Sequence, residues 1–317
     1  MDHPDTHDLQ QHRRLMRYSP KHLLEYALLR MLTALLRVLP YRVALFLGWL
    51  NAWFFFYVIR FRVDEAKRRI RLVLGEGVSE TQATRIAWQS WKNIVFSGVE
   101  MTRIDLMTRD WIESVLDAEK LFSTLKAQTD TGKGAISAVA HMGSWELAGV
   151  YGHHIGIPVF TFVAEQKNPL VNTYLNRMRQ RPGIPVISRG TDAIRDIIRR
   201  LRKGYLLAIL PDVRMRRGGI MVPFLGGEAN VGEGMAMFAR QCDVPIFPCI
   251  VTRHGWAQHK GKVGPAIWPD SRLDKESDIL RMTKEVLSLI DEEIRKDPGQ
   301  WFWFNKRWIL DPVEPSS

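Results

Sequence analysis

The chain has 317 residues, 46% of them hydrophobic and 25% charged, a composition that buries a substantial core and excludes an intrinsically disordered protein. Its formal net charge of +11 points to an anionic partner, whether nucleic acid, anionic lipid or an acidic protein, without choosing among them. Only two cysteines occur, Cys242 and Cys249, which argues against a disulfide framework or a multi-cysteine zinc site and fits a reducing compartment.

In chain order, residues 1–20 are polar and lack the apolar core and cleavage site of a secretory signal, so they read as a disordered lead. Residues 21–62 are dense in Leu, Phe and Trp, with Glu25, Arg30, Arg37, Pro40 and Arg42 interrupting them. The longest uncharged part, Val43 to Ile59, would span roughly 25 Å as a helix, against roughly 30 Å of hydrocarbon. It is expected to be a membrane anchor that spans at the limit or lies in the interface, with a buried helical hairpin as the alternative. Arginines at both ends leave its orientation open. A basic amphipathic helix follows, in which Lys67, Arg68, Arg69 and Arg71 face either anionic headgroups or plain solvent. Ser79 and Gln82 form a capping-box pattern that opens another long helix.

From Gly134 onward, short apolar runs alternate with amphipathic segments. "GAISAVA", "GIPVFTFVAE", "GIPVIS", "GYLLAILPD", "VPIFPCIVTRH" and "GPAIWP" read as strands, and the segments opening at Asn168, Thr191 and Val231 read as helices. The pattern predicts an α/β fold over residues 63–317, a central mixed sheet flanked by helices, behind the N-terminal hydrophobic anchor. In the second of these helices Ile194, Ile197, Ile198 and Leu201 form an apolar face, so Arg195, Arg199, Arg200, Arg202 and Lys203 point outward. That basic face is either solvated or a docking surface for an acidic carrier.

The stretch "AVAHMGSWELAG" carries the candidate chemistry. On one helix His141 and Glu146 would point about 140° apart, so they meet only if His141 lies in a strand-to-helix loop and Glu146 in the first helical turn. Gly143 permits the tight turn and Ser144 is a plausible N-cap. A carboxylate on one imidazole nitrogen would fix the tautomer and leave the other to take a proton from a hydroxyl. The alternative is a satisfied polar junction. The sequence contains no G-x-S-x-G elbow, so a substrate hydroxyl would have to be the nucleophile. It contains no zincin pattern either, and the neighbouring His153 and His154 make a poor metal pair.

The chain resembles the bacterial lipid A biosynthesis acyltransferases, and more distantly the glycerolipid acyltransferases that share an H-x4-D/E motif. The resemblance rests on "LLRMLTALLRVLPYRVALFLG", "AHMGSWELAG", "LNRMRQRPGIPVISRG", "GYLLAILPDV", "GIMVPFLGGEANVGEGMAMFARQCDVPIFPCIV" and "PGQWFWFNKRWIL", which follow in family order from about residue 22 to 311. It implies transfer of a fatty acyl chain from acyl carrier protein, or coenzyme A, to a hydroxyl of a lipid A precursor or related membrane glycolipid, at the cytoplasmic face of the inner membrane. It implies no metal and no further cofactor. His141 matches the general base and Glu146 its orienting carboxylate. Arg179, with Arg177 as rival, and Asp212 match blocks around the site, and Arg189 joins them. Arg214, in the basic run "RMRRGG", is expected to meet a phosphate-bearing acceptor or to lie in a solvent-exposed loop. Val213 stands where the family commonly has Gln, and Asn305 where it often has His. Other readings are an acceptor such as a phosphatidylinositol mannoside or a lysophospholipid, and a non-catalytic lipid-binding member. Nucleic-acid binding would explain the charge but not the hydrophobic N-terminal region.

Overall fold

A computed structural model describes residues 18–188, 190, 192–215 and 218–312. The expected polar lead lies outside the described residues as far as position 17, and so do Arg189, Arg216 and Arg217.

Ser19 accepts from the His22 N–H and Pro20 presets the first turn, which starts helix α1 (Pro20–Val38). Pro40 then redirects the chain into α2 (Tyr41–Trp53), which widens into one π turn over Phe54–Val58. Two helices follow, α3 (Val63–Leu74) and α4 (Glu80–Thr102), the latter closed at its start by the reciprocal Ser79–Gln82 capping box. Ala44, Gly48 and Ala52 form a small-residue stripe along α2. It brings α2 so close to α4 that a Cβ at Gly48 would lie 2.9 Å from Val99 Cγ2.

The opposite side of α1 and α2 is uncovered. Leu28, Met31, Leu35, Phe46, Leu50, Trp53, Phe54 and Val58 are all exposed. Tyr41–Val58 is the one helical stretch among the described residues that is long and apolar enough to cross a membrane, judged by length and composition. The cations of α3 do not form the open face anticipated for them. Arg69 is buried beneath the Trp308 ring, Arg68 pairs with Glu65, and Lys67 and Arg71 both reach Glu80.

The remainder is α5 (Arg109–Val115), β1 (Leu116–Asp117), α6 (Glu119–Asp130), β2 (Ala135–Val139), α7 (Trp145–His154), β3 (Val159–Val163), α8 (Pro169–Gln180), β4 (Val186–Ser188), α9 (Ala193–Arg202), β5 (Leu206–Ile209), β6 (Ile220–Phe224), β7 (Gly227–Val231), α10 (Gly234–Cys242), β8 (Ile246–His254), β9 (Gln258–Val263) and α11 (Lys275–Lys296). Seven strands form a mixed sheet in the order β1-β9-β8-β2-β5-β3-β4, in which only the β8–β9 pair is antiparallel. Alternation sends Ile136, Phe160, Leu207 and Ile246 to a core shared with α9, α10 and α11. Ala135, Val159, Leu206 and Phe247 pack with α6 and α7 on the other face. The result is the expected α/β sandwich of helices around a mixed sheet.

Several elements differ from the sequence expectation. β6 and β7 make a separate hairpin closed at Leu225 and Gly226, both left-handed, and its half-exposed residues dilute the apolar pattern. β9 is polar because it shields the sheet rather than building the core. Residues 264–269 contribute only a bridge from Ile267 to Ile246. On α9, Ile197 and Leu201 are buried as anticipated. Ile194, however, is exposed, and the Arg200 guanidinium covers the Phe160 and Tyr205 rings.

A buried ion pair joins the helical layer to the sheet. Both Arg253 terminal nitrogens donate to Glu100, at 2.7 and 2.6 Å, and Tyr41 donates to the same carboxylate at 2.7 Å. Both charged side chains are almost wholly buried. Burial favours a neutral Glu100, but the charge and hydrogen bonds of Arg253, with help from His259, outweigh it and hold the carboxyl well below the usual range. Stability from such a depressed group is complete above its unfolded value, about pH 4, and is lost as pH falls toward the folded one. Glu100→Gln is therefore expected to lower unfolding free energy in urea by about 3–5 kcal/mol at neutral pH, because it strands a buried guanidinium. The difference from wild type should shrink as the solution is acidified below pH 4.

Candidate functional site

The site forms where β2 and β5 end side by side. These parallel strands pair with Ala138 opposite Ile209, and three residues beyond those partners stand His141 and Asp212. The shared register brings the two side chains together across 71 positions of sequence. Asp212 Oδ1 lies 2.7 Å from His141 Nδ1, and Asp212 Oδ2 accepts from the His141 backbone N–H at 2.8 Å. Trp301 Nε1–H donates to the same Oδ2 at 2.9 Å.

Asp212 is fully enclosed, whereas 28% of the His141 side chain remains exposed. Burial would lift the Asp212 carboxyl. The positive character of His141, its ring and backbone N–H groups and the Trp301 indole together hold it below the ordinary carboxylate value instead. An anion on Nδ1 makes that nitrogen the protonated one and turns Nε2 into the proton acceptor. Nε2 has no hydrogen-bond partner among the described residues.

The turn between β2 and α7 presents the imidazole. Gly143 adopts φ +54°, and a Cβ there would come within 2.4 Å of the Val251 carbonyl oxygen, so glycine is required twice over. Its carbonyl accepts from Ser97 Oγ at 2.6 Å, and Ser97 Oγ in turn lies 3.4 Å from an Arg253 nitrogen. The Trp145 indole packs edge-on to the imidazole, with ring centres 5.2 Å apart. Ser144 is the N-cap residue of α7 but makes no side-chain cap, so its hydroxyl satisfies none of the free first-turn amides of the helix.

The remaining sequence candidates separate. Glu146 does lie in the first turn of α7, but it takes Arg179 Nε at 2.9 Å, and no hydrogen bond joins it to His141 among the described residues. The carboxylate in contact with the His141 ring is Asp212, and Glu146 contacts Arg179 instead. The physical reason is that the helix begun at Trp145 turns the next side chain toward α8, where Arg179 waits. Of the two rival arginines, Arg179 bonds Glu146 and Arg177 is exposed. Arg214 is spent on the Asp311 and Pro312 carbonyl oxygens and holds the C-terminal segment rather than facing the imidazole. Arg189 lies outside the described residues.

Sequence reasoning assigned no role to Ser97 or Trp301. Asp212 carried a signal in "LLAILPD", an acid at the end of an apolar strand, but only the β2–β5 register reveals its partner. Neither cysteine competes as a nucleophile: Cys249 is enclosed, and burial pushes its thiol up to about 12.

A histidine held by a carboxylate at the carboxyl ends of parallel strands is the arrangement that an α/β protein with a general base would need. The family model of the bacterial lipid A biosynthesis acyltransferases matches residues 12–309, and the chain belongs to that family. It is similar to the phosphatidylinositol mannoside acyltransferase of Mycolicibacterium smegmatis, 27% identical over 203 residues that cover 62% of each chain. Its match to the lipid A biosynthesis palmitoleoyltransferase of Escherichia coli is 25% identical over 291 residues, 88% of this chain and 89% of the relative. A lipid A biosynthesis acyltransferase of Haemophilus influenzae is 26% identical over 178 residues, 54% and 52% of the two chains. The chain thus spans about 62% of the length of the Mycolicibacterium relative and nearly all of the Escherichia one.

Asp212→Asn keeps the shape but favours the wrong imidazole tautomer. It is expected to reduce turnover by roughly 10³–10⁴-fold in a single-turnover acyl-transfer assay, with little change in substrate binding. Gly143→Ala should lose both stability and activity, measurable as a lower Tm together with a lower kcat.

Proposed function

We propose that this chain is a membrane O-acyltransferase that moves a fatty acyl group from acyl carrier protein to a hydroxyl of a lipid A precursor or related glycolipid, at the cytoplasmic face of the inner membrane. The observation that carries the reading is the His141 imidazole, clamped at Nδ1 by Asp212 and open at Nε2. Family membership supplies the reaction class, and the long match to the Escherichia relative favours the lipid A acceptor. The sequence similarity to the mycobacterial relatives makes a phosphatidylinositol mannoside the second acceptor reading.

In this mechanism the acceptor hydroxyl gives its proton to His141 Nε2 as its oxygen attacks the thioester carbonyl carbon. The new C–O bond leaves a tetrahedral oxyanion, and the polarised first turn of α7 lies where its amides can stabilise that charge. Collapse breaks the C–S bond, and the departing thiolate takes the proton back from the imidazolium. Asp212 stays ionised throughout and stabilises the charged ring. Glu146 positions Arg179 at the rim, where its guanidinium suits a phosphate or the developing oxyanion.

Residues 21–62 serve as the membrane anchor and residues 63–317 as the catalytic body. The anchor lies in the interface rather than crossing it, because α2 is docked along α4, whose Arg85, Lys92 and Asn93 would be costly to carry into hydrocarbon. The exposed arginines of α9 offer a surface to an acidic carrier protein.

The test uses full-length protein in proteoliposomes, with labelled acyl carrier protein thioester and either a lipid A precursor or a phosphatidylinositol mannoside. Label should pass to the lipid A precursor, and His141→Ala should abolish transfer while the protein remains membrane-bound. Full activity of that variant would remove the imidazole from the mechanism. Transfer to the mannoside alone would select the second acceptor.

A further inference from the structure

Where the π turn meets the start of α4, an open surface depression of about 410 Å³ is lined by Tyr57, Glu80, Thr81, Thr84, Arg85 and Trp88. It is separate from the catalytic turn: Ser97, which holds the Gly143 carbonyl, lies thirteen residues beyond Thr84 on α4, a distance of roughly 20 Å along a helix. Three of its features need explaining. The Arg85 guanidinium is exposed and has no acidic partner among the described residues, whereas the single acidic wall residue, Glu80, is already neutralised by Lys67 and Arg71. Beside Arg85 the lining is aromatic, with the Tyr57 and Trp88 rings 5.3 Å apart. The Tyr57 ring continues to Trp53, centre to centre 6.1 Å, and from there to the uncovered apolar side of α2.

A pocket that sets an unpaired cation beside aromatic rings and continues into a greasy helical face matches an anionic phospholipid. The phosphate would meet Arg85, the glycerol would lie against the Tyr57 and Trp88 rings at headgroup depth, and the acyl chains would run along Trp53, Phe54 and Val58. A soluble anion would have no use for the aromatic wall or for its continuation into the apolar face. We propose that this depression is a headgroup site for an anionic glycerophospholipid, one that fixes how the protein sits on its membrane without taking part in acyl transfer. The proposal rests on the membrane-contact part of the function proposed above and is independent of the acyl acceptor.

The experiment incorporates the full chain into phosphatidylcholine vesicles that contain a minor fraction of photoreactive phosphatidylglycerol or, in a parallel arm, photoreactive phosphatidylcholine. Peptides that acquire label are mapped by mass spectrometry. Phosphatidylglycerol is expected to label the peptides around Tyr57 and Thr84–Trp88 preferentially. Arg85→Gln should reduce that labelling about five-fold and Arg85→Glu by more. Arg272→Glu, at an exposed arginine outside this lining, should leave it unchanged. Equal labelling by both probes, labelling unaffected by Arg85→Glu, or displacement of the label by millimolar inorganic phosphate would each overturn the proposal, the last by making the depression a soluble-anion site. Flotation of the wild-type chain with pure phosphatidylcholine vesicles is measured alongside. Loss of flotation would refute membrane contact itself, while flotation without selective labelling would refute only the headgroup site.

Discussion

Asp212 accepts three hydrogen bonds in an enclosed position, two from His141 and one from Trp301, residues that lie 71 and 89 positions away in the chain. A buried carboxylate is tolerated only when it is satisfied in this way, so every element that delivers a donor is constrained by it. β2 and β5 must end in register, the Gly143 turn must expose the imidazole, and the C-terminal segment must lie back over the sheet to present the indole. The catalytic geometry and the closure of the fold depend on the same carboxylate.

Helix α4 carries that constraint to the rest of the molecule. On one side it receives the small-residue stripe of α2 and with it the apolar helical face. On the other, Ser90 bonds the Trp301 carbonyl, Asn93 the Gly299 carbonyl and Ser97 the Gly143 carbonyl. Its Glu100 meets Arg253 from β8 and Tyr41 from the start of α2. One helix thus stands between the exposed apolar face of α1 and α2 and the imidazole, with polar side chains spaced toward the site and small or apolar ones toward α2. Gln300 completes the frame by pairing its amide with both backbone groups of Arg253, as a neighbouring strand would.

Much of this was legible in the residues. The small apolar run before His141, the permissive Gly143 and the helix opening at Trp145 follow from local rules of turn and helix formation, and the alternating apolar runs located five of the seven strands of the sheet, β8, β2, β5, β3 and β4. Pairings at long range were not legible. An H-x4-E spacing suggests a local partner for the imidazole, whereas strand register assigns it a remote one and gives Glu146 to Arg179. The cations of α3 and Arg214 looked like free ligands for anions because sequence shows charge without showing that Glu80, Trp308 or a terminal carbonyl is close enough to occupy it. The hairpin of β6 and β7 was hidden because a ribbon half open to solvent lacks the continuous apolar signature of a central strand.

The late placement of Trp301 affects how the protein is made. The greasy helices emerge from the ribosome first and can settle on lipid while roughly 240 residues remain to be translated, a delay on the order of ten to fifty seconds at ordinary elongation rates. Through that interval Asp212 lacks its indole, and Arg69 lacks the Trp303 and Asn305 carbonyls it will grip. Any contact those helices make with lipid during synthesis therefore precedes completion of the Asp212 and Arg69 environments.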